Sequence, residues 1–302
     1  MEETYVITGG SGWVGKNFLF ELYKFLSYEE FKKNLFVFGS KDRIIKLRDS
    51  KNKKTINIPV KKLSLINEVL KEREKINLVH TAFLTREKVN KFGIKKYIKT
   101  NTDITNHVVD FLKIKKESKA VIISSGAATI FEQKNKSQRI IEKDPYGFLK
   151  LEEEKKISKI VPSLTLRIYG LTGKFIRDPN LFALGNFLID AKNKNHLKII
   201  SKYHVIRSYG CASDIAKLGI KWLSREAKTE LLYAATDTIS IYELAIKITN
   251  LYNLNPIESD IDENLSKDDY SCETYVFKNY LKTFGIKITN IEKQIQETFE
   301  YI

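Results

Sequence analysis

The 302-residue chain has only two cysteines, Cys211 and Cys272, too few for a disulfide framework, which predicts a reducing, cytoplasmic setting. No apolar run approaches the length that a membrane-crossing helix needs. The opening residues, Met-Glu-Glu-Thr-Tyr-Val-Ile, carry no basic stretch followed by an apolar one, so no secretory leader is expected. Internal repeats, low-complexity tracts and flexible linkers are missing as well. Arginine is scarce: the 52 basic residues are 43 Lys and 9 Arg, spread along the whole chain. Base and phosphate-backbone recognition uses clustered arginine. The net charge of +15 therefore reads as a lysine-rich solvated surface that suits anionic small ligands, not as a nucleic-acid footprint. His80, His107, His196 and His204 lack ligand spacing, so no metal site is expected.

What is present suits a folded domain. Apolar residues make up 42% of the chain against 29% charged, enough for a substantial core. Short, mainly apolar runs at 5–7, 35–38, 76–79, 121–123 and 164–166 alternate with helical patterns. One such pattern places Trp13, Val14, Phe18, Leu22, Phe25 and Leu26 at helical spacing, a second covers 63–75, and a third carries Ile104, Val108, Phe111 and Leu112. Strands covered on both faces read as continuous runs, so the pattern predicts an α/β fold, a Rossmann-like doubly wound parallel sheet. Beyond residue 165 the rhythm is irregular, with loop signals at 178–180 and 255–256. The expected division is 1–165 for dinucleotide binding and 166–302 for a smaller substrate-binding region, with the chain crossing back into the sheet.

Thr8-Gly9-Gly10-Ser11-Gly12-Trp13-Val14-Gly15 lies between the first strand and the first helix, the context in which a glycine turn holds a dinucleotide pyrophosphate. Gly9 makes the tight turn, Gly12 lets phosphate approach backbone amides, and Gly15 lets the helix lie close against the sheet. The helix N-terminus adds partial positive charge. Gly9, Ser11, Gly12, Trp13, Val14 and Gly15 are the candidate contacts. The spacing Thr-Gly-x-x-Gly-x-x-Gly resembles the extended branch of the short-chain dehydrogenase/reductase superfamily, the NAD(P)-dependent nucleotide-sugar epimerases, dehydratases and reductases.

An acid closing the second strand would bind the ribose 2′-hydroxyl of NAD and repel the 2′-phosphate of NADP. Here that strand runs into Gly39-Ser40-Lys41-Asp42-Arg43. Ser40 can donate to a phosphate and Lys41 or Arg43 can neutralise it. Ser40 and Arg43 are thus candidates and NADP(H) is favoured, while Asp42 keeps NAD(H) open. The resemblance adds Ala82, in His80-Thr81-Ala82, as a small residue against the cofactor ribose. It also adds Asn101, read as opening its helix, with a helix N-cap as the alternative role. The Asp-Leu implied after the third strand is missing, and Asn57-Ile58-Pro59-Val60 stands near there.

A Tyr four residues before a Lys occurs twice, at Tyr28/Lys32 and Tyr146/Lys150, no more often than composition alone would give. Context separates them. Tyr28 and Lys32 lie among charged residues and read as surface. Tyr146 and Lys150 follow Pro145, a good helix opener, and come after Ser124-Ser125 at a strand end. Pro-Tyr-Gly-Phe-Leu-Lys-Leu-Glu-Glu-Glu also resembles the superfamily's Tyr-Gly-x-x-Lys-x-x-x-Glu helix. Hydride transfer between a carbinol carbon and nicotinamide needs a proton moved on or off the oxygen. A phenol with its ordinary pKa of about 10 is a poor base at neutral pH, and a nearby ammonium favours its phenolate. Tyr146 is assigned as acid/base, Lys150 as its tuner and a ribose ligand, and Ser125 as the donor that orients the substrate oxygen. Ser124 is the alternative to Ser125. Residues 126–131 read as a loop longer than the superfamily's. Gly126-Ala127-Ala128 has no carboxylate where the dehydratases carry an Asp-Glu pair, which disfavours dehydration.

Arg207-Ser208-Tyr209-Gly210-Cys211-Ala212-Ser213-Asp214-Ile215-Ala216 resembles the superfamily's Arg-Asp-Tyr-x-x-x-x-Asp-x-Ala segment. That implies Arg207 as a pyrophosphate contact of a nucleotide sugar and Asp214 as a structural carboxylate at a helix start. Arg167 to Gly173 matches Arg-x-x-Asn-x-x-Gly except that Gly170 replaces Asn. The resemblance runs from residue 4 to about 250. It implies an NAD(P)-dependent reductase of a 4-keto nucleotide-activated deoxysugar, with a 4-epimerase holding NAD tightly as the alternative. A non-catalytic nucleotide-sensing or RNA-binding protein on the same scaffold is a reading from another class. A homodimer is implied through helices around 101–117 and 146–160, with Ile104, Phe111, Leu149 and Ile157 as candidates.

Overall fold

In the computed structural model, which describes residues 3–48, 55–132, 144–225, 228–255, 257–262 and 264–302, the apolar runs become the centre of one sheet. Its strands are β1 (Thr4–Thr8), β2 (Leu35–Gly39), β3 (Arg43–Arg48), β4 (Thr55–Lys62), β5 (Lys75–His80), β6 (Glu117–Ser125), β7 (Ser163–Ile168) and β11 (Glu230–Tyr233). They lie in the order β11-β7-β6-β5-β1-β2-β4-β3. β1 pairs in parallel with β2 and with β5, so Val6 stands opposite both Phe36 and Leu78. The strand order reverses at β1, where open α/β sheets place their ligands. Val6, Ile7, Leu78, Val121 and Ile122 are buried, as strands covered on both faces require.

The sheet departs from the expected pattern beyond β2. The chain does not enter a helix there but turns back into β3, which pairs antiparallel with β4, Ile45 opposite Ile58. β3 forms the sheet edge, so its side chains alternate: Ile45 and Leu47 are buried while Lys46 and Arg48 are exposed. Asn57-Ile58-Pro59-Val60 lie inside β4, and the strand ends at Lys62. The expected helix at 63–75 is cut to a 3-10 turn at Leu63–Leu65 and the single turn α3 (Ile66–Val69).

The chain divides into two compact units, Met1–Arg167 with Gly219–Leu232, and Ile168–Leu218 with Tyr233–Ile302. The first holds the main sheet and α1 (Trp13–Phe25), α2 (Tyr28–Asn34), α4 (Lys88–Phe92), α5 (Ile94–Lys113), α6 (Ala127–Glu132) and α7 (Pro145–Ser158). Its core includes Val6, Phe38, Leu78, Val108, Phe111, Ile122 and Ile157, with Ile104 packed against it. Phe111, Ile157 and Leu149 are therefore buried within the chain itself. Tyr28 and Lys32 are a surface pair on α2, the ammonium 4.5 Å from the ring centre.

In the second unit β8 (Gly170–Thr172), β12 (Asp237–Ser240) and β14 (Asp268–Tyr270) gather around β10 (Val205–Cys211). The short strands β9 (Lys198–Ile199) and β13 (Glu258–Ser259) pair with each other in parallel. The core of this unit joins Leu184 and Leu188 of α8 (Ala183–Lys192), Leu244 and Ile248 of α10 (Ile241–Tyr252), Tyr209 and Ile295. The last residues form two helices, α11 (Tyr275–Thr283) and α12 (Ile291–Phe299), the second capped by Asn290. Both cysteines are free thiols. Among the described residues no helix is long and apolar enough to cross a membrane.

Candidate active site

The turn after β1 is forced by what surrounds it. Gly9 has φ +75°, and a Cβ there would lie 2.6 Å from the amide nitrogen of Ala82. Only glycine tolerates both the left-handed backbone and the contact. At Gly15 a Cβ would lie 2.5 Å from Gly9 O, so the first turn of α1 rests closely on the glycine turn's own backbone. Gly12 is the N-cap of α1. No side chain caps this helix, and its first turn, with Trp13 and Val14, holds no acid. An uncapped helix N-terminus beside a tight backbone turn suits a pyrophosphate, because amide donors and the positive helix end meet there. Ser11 is half-buried at the turn and Trp13 is buried.

Ala82 lies against this turn: Thr81 N donates to Thr8 O at 3.1 Å, and Ala82 N reaches Thr8 Oγ1 at 3.4 Å. Asn101 neither opens a helix nor caps one. It sits buried in the middle of α5, which starts seven residues earlier. Its Oδ1 accepts from Leu84 N at 2.7 Å and its Nδ2 donates to Leu84 O at 3.3 Å, so it fixes the loop that carries Ala82 and Phe83. Tyr97 donates to the same carbonyl at 2.6 Å. At the end of β2, Arg43 Nη2 donates to Ser40 Oγ at 3.0 Å, which brings these two candidates together. Asp42 turns the other way, accepting from Lys62 N at 2.8 Å and facing the Lys61 ammonium at 3.8 Å.

β6 ends in the two serines, whose side chains leave the strand on opposite faces. Ser125 Oγ accepts from Ala127 N at 3.2 Å, and its hydroxyl favours the ionised form of the Tyr146 phenol. Ser124 donates to Glu154 instead. Residues 127–132 are α6, a short helix rather than the expected loop, and α7 packs directly on it. A Cβ at Gly147 would lie 2.5 Å from Ala127 O, so the glycine after Tyr146 permits this contact.

Lys150 is buried. Its Nζ donates to Ile123 O and to Glu153 Oε2, both at 2.8 Å, and lies 3.9 Å from the centre of the Phe83 ring. Phe83 meets the Tyr146 ring edge-on at 5.8 Å, and the Arg86 guanidinium lies 5.5 Å from that ring's centre. Burial pushes the Tyr146 phenol above its ordinary value; Ser125 and Arg86 oppose the rise, while Glu153 and Glu87 add to it. The net shift is thus opposite to the expected lowering, because burial outweighs the groups that favour the phenolate. Burial would also raise Glu153, but Lys150 and His80 together outweigh it and hold this carboxyl below the usual range.

Sequence reasoning missed Glu153 as a site residue. The available signal was its spacing, three residues after Lys150 and seven after Tyr146, which puts all three on one helical face. The carboxylate that the resemblance implies is Glu154, and it has a different task, pairing with fully buried Arg167.

In the second unit, Arg207 on β10 donates through Nη2 to Asp268 Oδ2 at 2.6 Å and through Nη1 to Asp268 O at 2.8 Å. Asp214, in the first turn of α9 (Ala212–Leu223), is fully buried and accepts from Thr289 N at 2.8 Å and Thr289 Oγ1 at 3.0 Å, a structural role. Among the described residues no three His, Cys, Asp or Glu side chains gather as a metal-ligand set.

No family model matches the chain, and no curated protein matches its sequence. Its structure is similar to that of TunA, an NAD-dependent NDP-hexosamine 5,6-dehydratase, with TM-score 0.72, 14% identity, and coverage of 99% of this chain and 97% of that one. It is also similar to MoeE5 in complex with UDP-glucuronic acid and NAD, with TM-score 0.71, 15% identity and 98% of each chain covered. A third is the UDP-glucose 4-epimerase of Thermus thermophilus in complex with NAD, with TM-score 0.69, 15% identity, and 99% and 98% covered. What is shared at this identity is the fold. The chain has the Rossmann-like α/β fold of these solved structures along nearly its whole length.

Proposed function

We propose that this protein is an NAD(P)-dependent oxidoreductase that reduces the 4-keto group of a nucleotide-activated deoxysugar. The observation that carries this reading is the packing of one helix, which holds both Tyr146 and Lys150, against the end of the central strand that carries Ser125, with Lys150 Nζ donating to Ile123 O at 2.8 Å. In this reading the turn from Gly9 to Gly15 and the first amides of α1 hold the pyrophosphate of the dinucleotide. Ala82 lines the ribose, and Asn101 serves by fixing the loop at Leu84. Ser40 and Arg43, already paired, receive an adenosine 2′-phosphate, which favours NADP(H) over NAD(H). When bound, the dinucleotide supplies the hydride. Ser125 orients the carbonyl oxygen and Tyr146 protonates it, with Lys150 beside the ribose. Arg207 takes the diphosphate of the nucleotide sugar, for which its planar fork is suited. The reading includes a homodimer in the cytoplasm.

The test is consumption of added NADPH with a panel of 4-keto nucleotide sugars, by wild type and by Tyr146→Phe. Stoichiometric consumption lost in the variant supports the reductase, and no consumption with any of them sinks it. The second reading is a 4-epimerase with tightly held NAD, favoured by the NAD in the solved structures with this fold. Denaturing the purified protein and assaying the supernatant for released NAD(H) separates the two. Salt-sensitive RNA binding that survives Tyr146→Phe would favour the non-catalytic class instead.

A further inference from the structure

Lys150, Glu153, His80 and Thr8 form one chain of buried side-chain contacts inside the first unit. Lys150 Nζ donates to Glu153 Oε2 at 2.8 Å, and Glu153 Oε1 lies 2.8 Å from His80 Nε2. His80 Nδ1 lies 2.6 Å from Thr8 Oγ1, which also accepts from Ala82 N at 3.4 Å. A carboxylate oxygen at 2.8 Å sets a proton on Nε2, so in the neutral ring Thr8 donates to Nδ1. The donors then run from Ala82 through Thr8 and His80 to Glu153, which also takes the ammonium. One end of the chain is α7. The other is the tight turn at Gly9, the residue after Thr8.

Replacing a buried ion pair by apolar side chains of similar volume is often neutral or stabilising, so stability does not account for this arrangement. What it supplies is position. A lysine stem is long and flexible. Here its ammonium is held by acceptors on two elements, Ile123 O on β6 and Glu153 on α7, with the Phe83 ring centre 3.9 Å away. An ammonium has three N–H donors, so these two bonds leave one for a ligand. Glu153 in turn is kept in place by His80 on β5, which faces its second oxygen.

We propose that Glu153, braced by His80 and Thr8, is the positioning residue that fixes the Lys150 ammonium relative to the glycine turn. The function of this device rests on the oxidoreductase reading, in which the remaining donor of Lys150 meets the ribose of a dinucleotide seated on that turn. Glu153 acts through Lys150. Glu153→Gln breaks the brace with little change of shape, because an amide has one acceptor oxygen for the two donors that the carboxylate serves.

The test has two readouts. The first is ¹³C relaxation of the Lys150 side chain in the free protein, labelled at lysine Cε, the signal being assigned by its loss in Lys150→Met. Wild type is expected to be rigid there. Order is expected to drop in Glu153→Gln and to hold in Glu152→Gln, a half-buried neighbour. The second readout is the Kd for NADPH and for NADH. Glu153→Gln and Lys150→Met are each expected to weaken binding about tenfold. The double variant is expected to bind no worse than Lys150→Met, because without the ammonium Glu153 has nothing to hold. Unchanged order in Glu153→Gln overturns the proposal, and so does a double variant that shows the product of the two single losses. Should Glu153→Gln fail to fold, His80→Phe decides, since it leaves both charges in place. Lys150 is expected to loosen in it, and an unmoved signal overturns the brace. Lost order in a protein that binds no dinucleotide sinks the oxidoreductase reading alone. Kept order in a protein that does bind it sinks the positioning role alone.

Discussion

Arg167 grips Glu154 through two parallel hydrogen bonds, Nε to Oε1 at 3.0 Å and Nη2 to Oε2 at 2.6 Å, with both side chains buried. Its remaining nitrogen, Nη1, donates to Glu132 Oε2 at 2.6 Å, so one guanidinium ties the end of β7 to α6 and α7. Breaking such a pair leaves a buried carboxylate uncompensated. Arg167→Met is expected to cost about 3–5 kcal/mol in urea unfolding. Adding Glu154→Gln should recover part of the loss, and a double variant no more stable than the single one would show that the pair is not coupled.

The two serines that end β6 make separable predictions. Ser125→Ala removes the partner of Tyr146, and turnover in the reductase assay should fall about 10²-fold. Ser124→Ala removes a bond to Glu154, so stability should drop by about 1–3 kcal/mol with turnover little changed. Equal losses of turnover in the two variants would contradict the division of labour.

At the glycine turn, Gly9→Ala combines a left-handed backbone with a Cβ placed 2.6 Å from Ala82 N. The backbone term alone is about 1–2 kcal/mol. Gly15→Ala forces the first turn of α1 off Gly9 O. Both variants are expected to lose dinucleotide binding, read by quenching of protein fluorescence, in a chain that calorimetry finds still folded.

For the choice of dinucleotide, Arg43→Ala should raise the Kd for NADPH about tenfold while leaving that for NADH unchanged. The opposite pattern would move the 2′-phosphate away from the Ser40–Arg43 pair.

Stability should fall in alkali. Burial pushes the Cys211 thiol up to about 12 and the Cys272 thiol up to about 11, and the Tyr5 and Tyr209 phenols up to about 12. In each case the folded chain keeps a proton that the unfolded chain releases near pH 9–10, so the contribution is complete below pH 9 and disappears as pH rises toward 12. Urea midpoints are expected to hold between pH 7 and 9 and then decline. A flat profile to pH 11 would contradict the burial.

The strands at 5–7 and 121–123 were legible because a strand covered on both faces reads as an unbroken apolar run, and 76–79 because only Asn77 interrupts it. β3 was not, because an edge strand needs only alternate apolar residues, and Ile45 and Leu47 are a short signal beside Lys46 and Arg48. Asn101 was misplaced for a related reason: α5 starts after Gly93, at φ +73° and with no capping side chain, so nothing in the chain announces a helix seven residues before the asparagine. What stands beside Asp42 was equally hidden: β4 brings Lys61 and Lys62 to it across the sheet.

The glycine turn between strand and helix, and the shared helical face of Tyr146 and Lys150, follow from spacing over a few residues, where steric limits and helical periodicity act. The state of the phenol does not. It depends first on burial, then on Ser125 at the end of β6, on Glu153 and on Arg86 and Glu87 from the loop after β5, which the packing of β5, β6 and α7 brings together. Coulomb energy follows distance in space, and only the folded chain sets those distances.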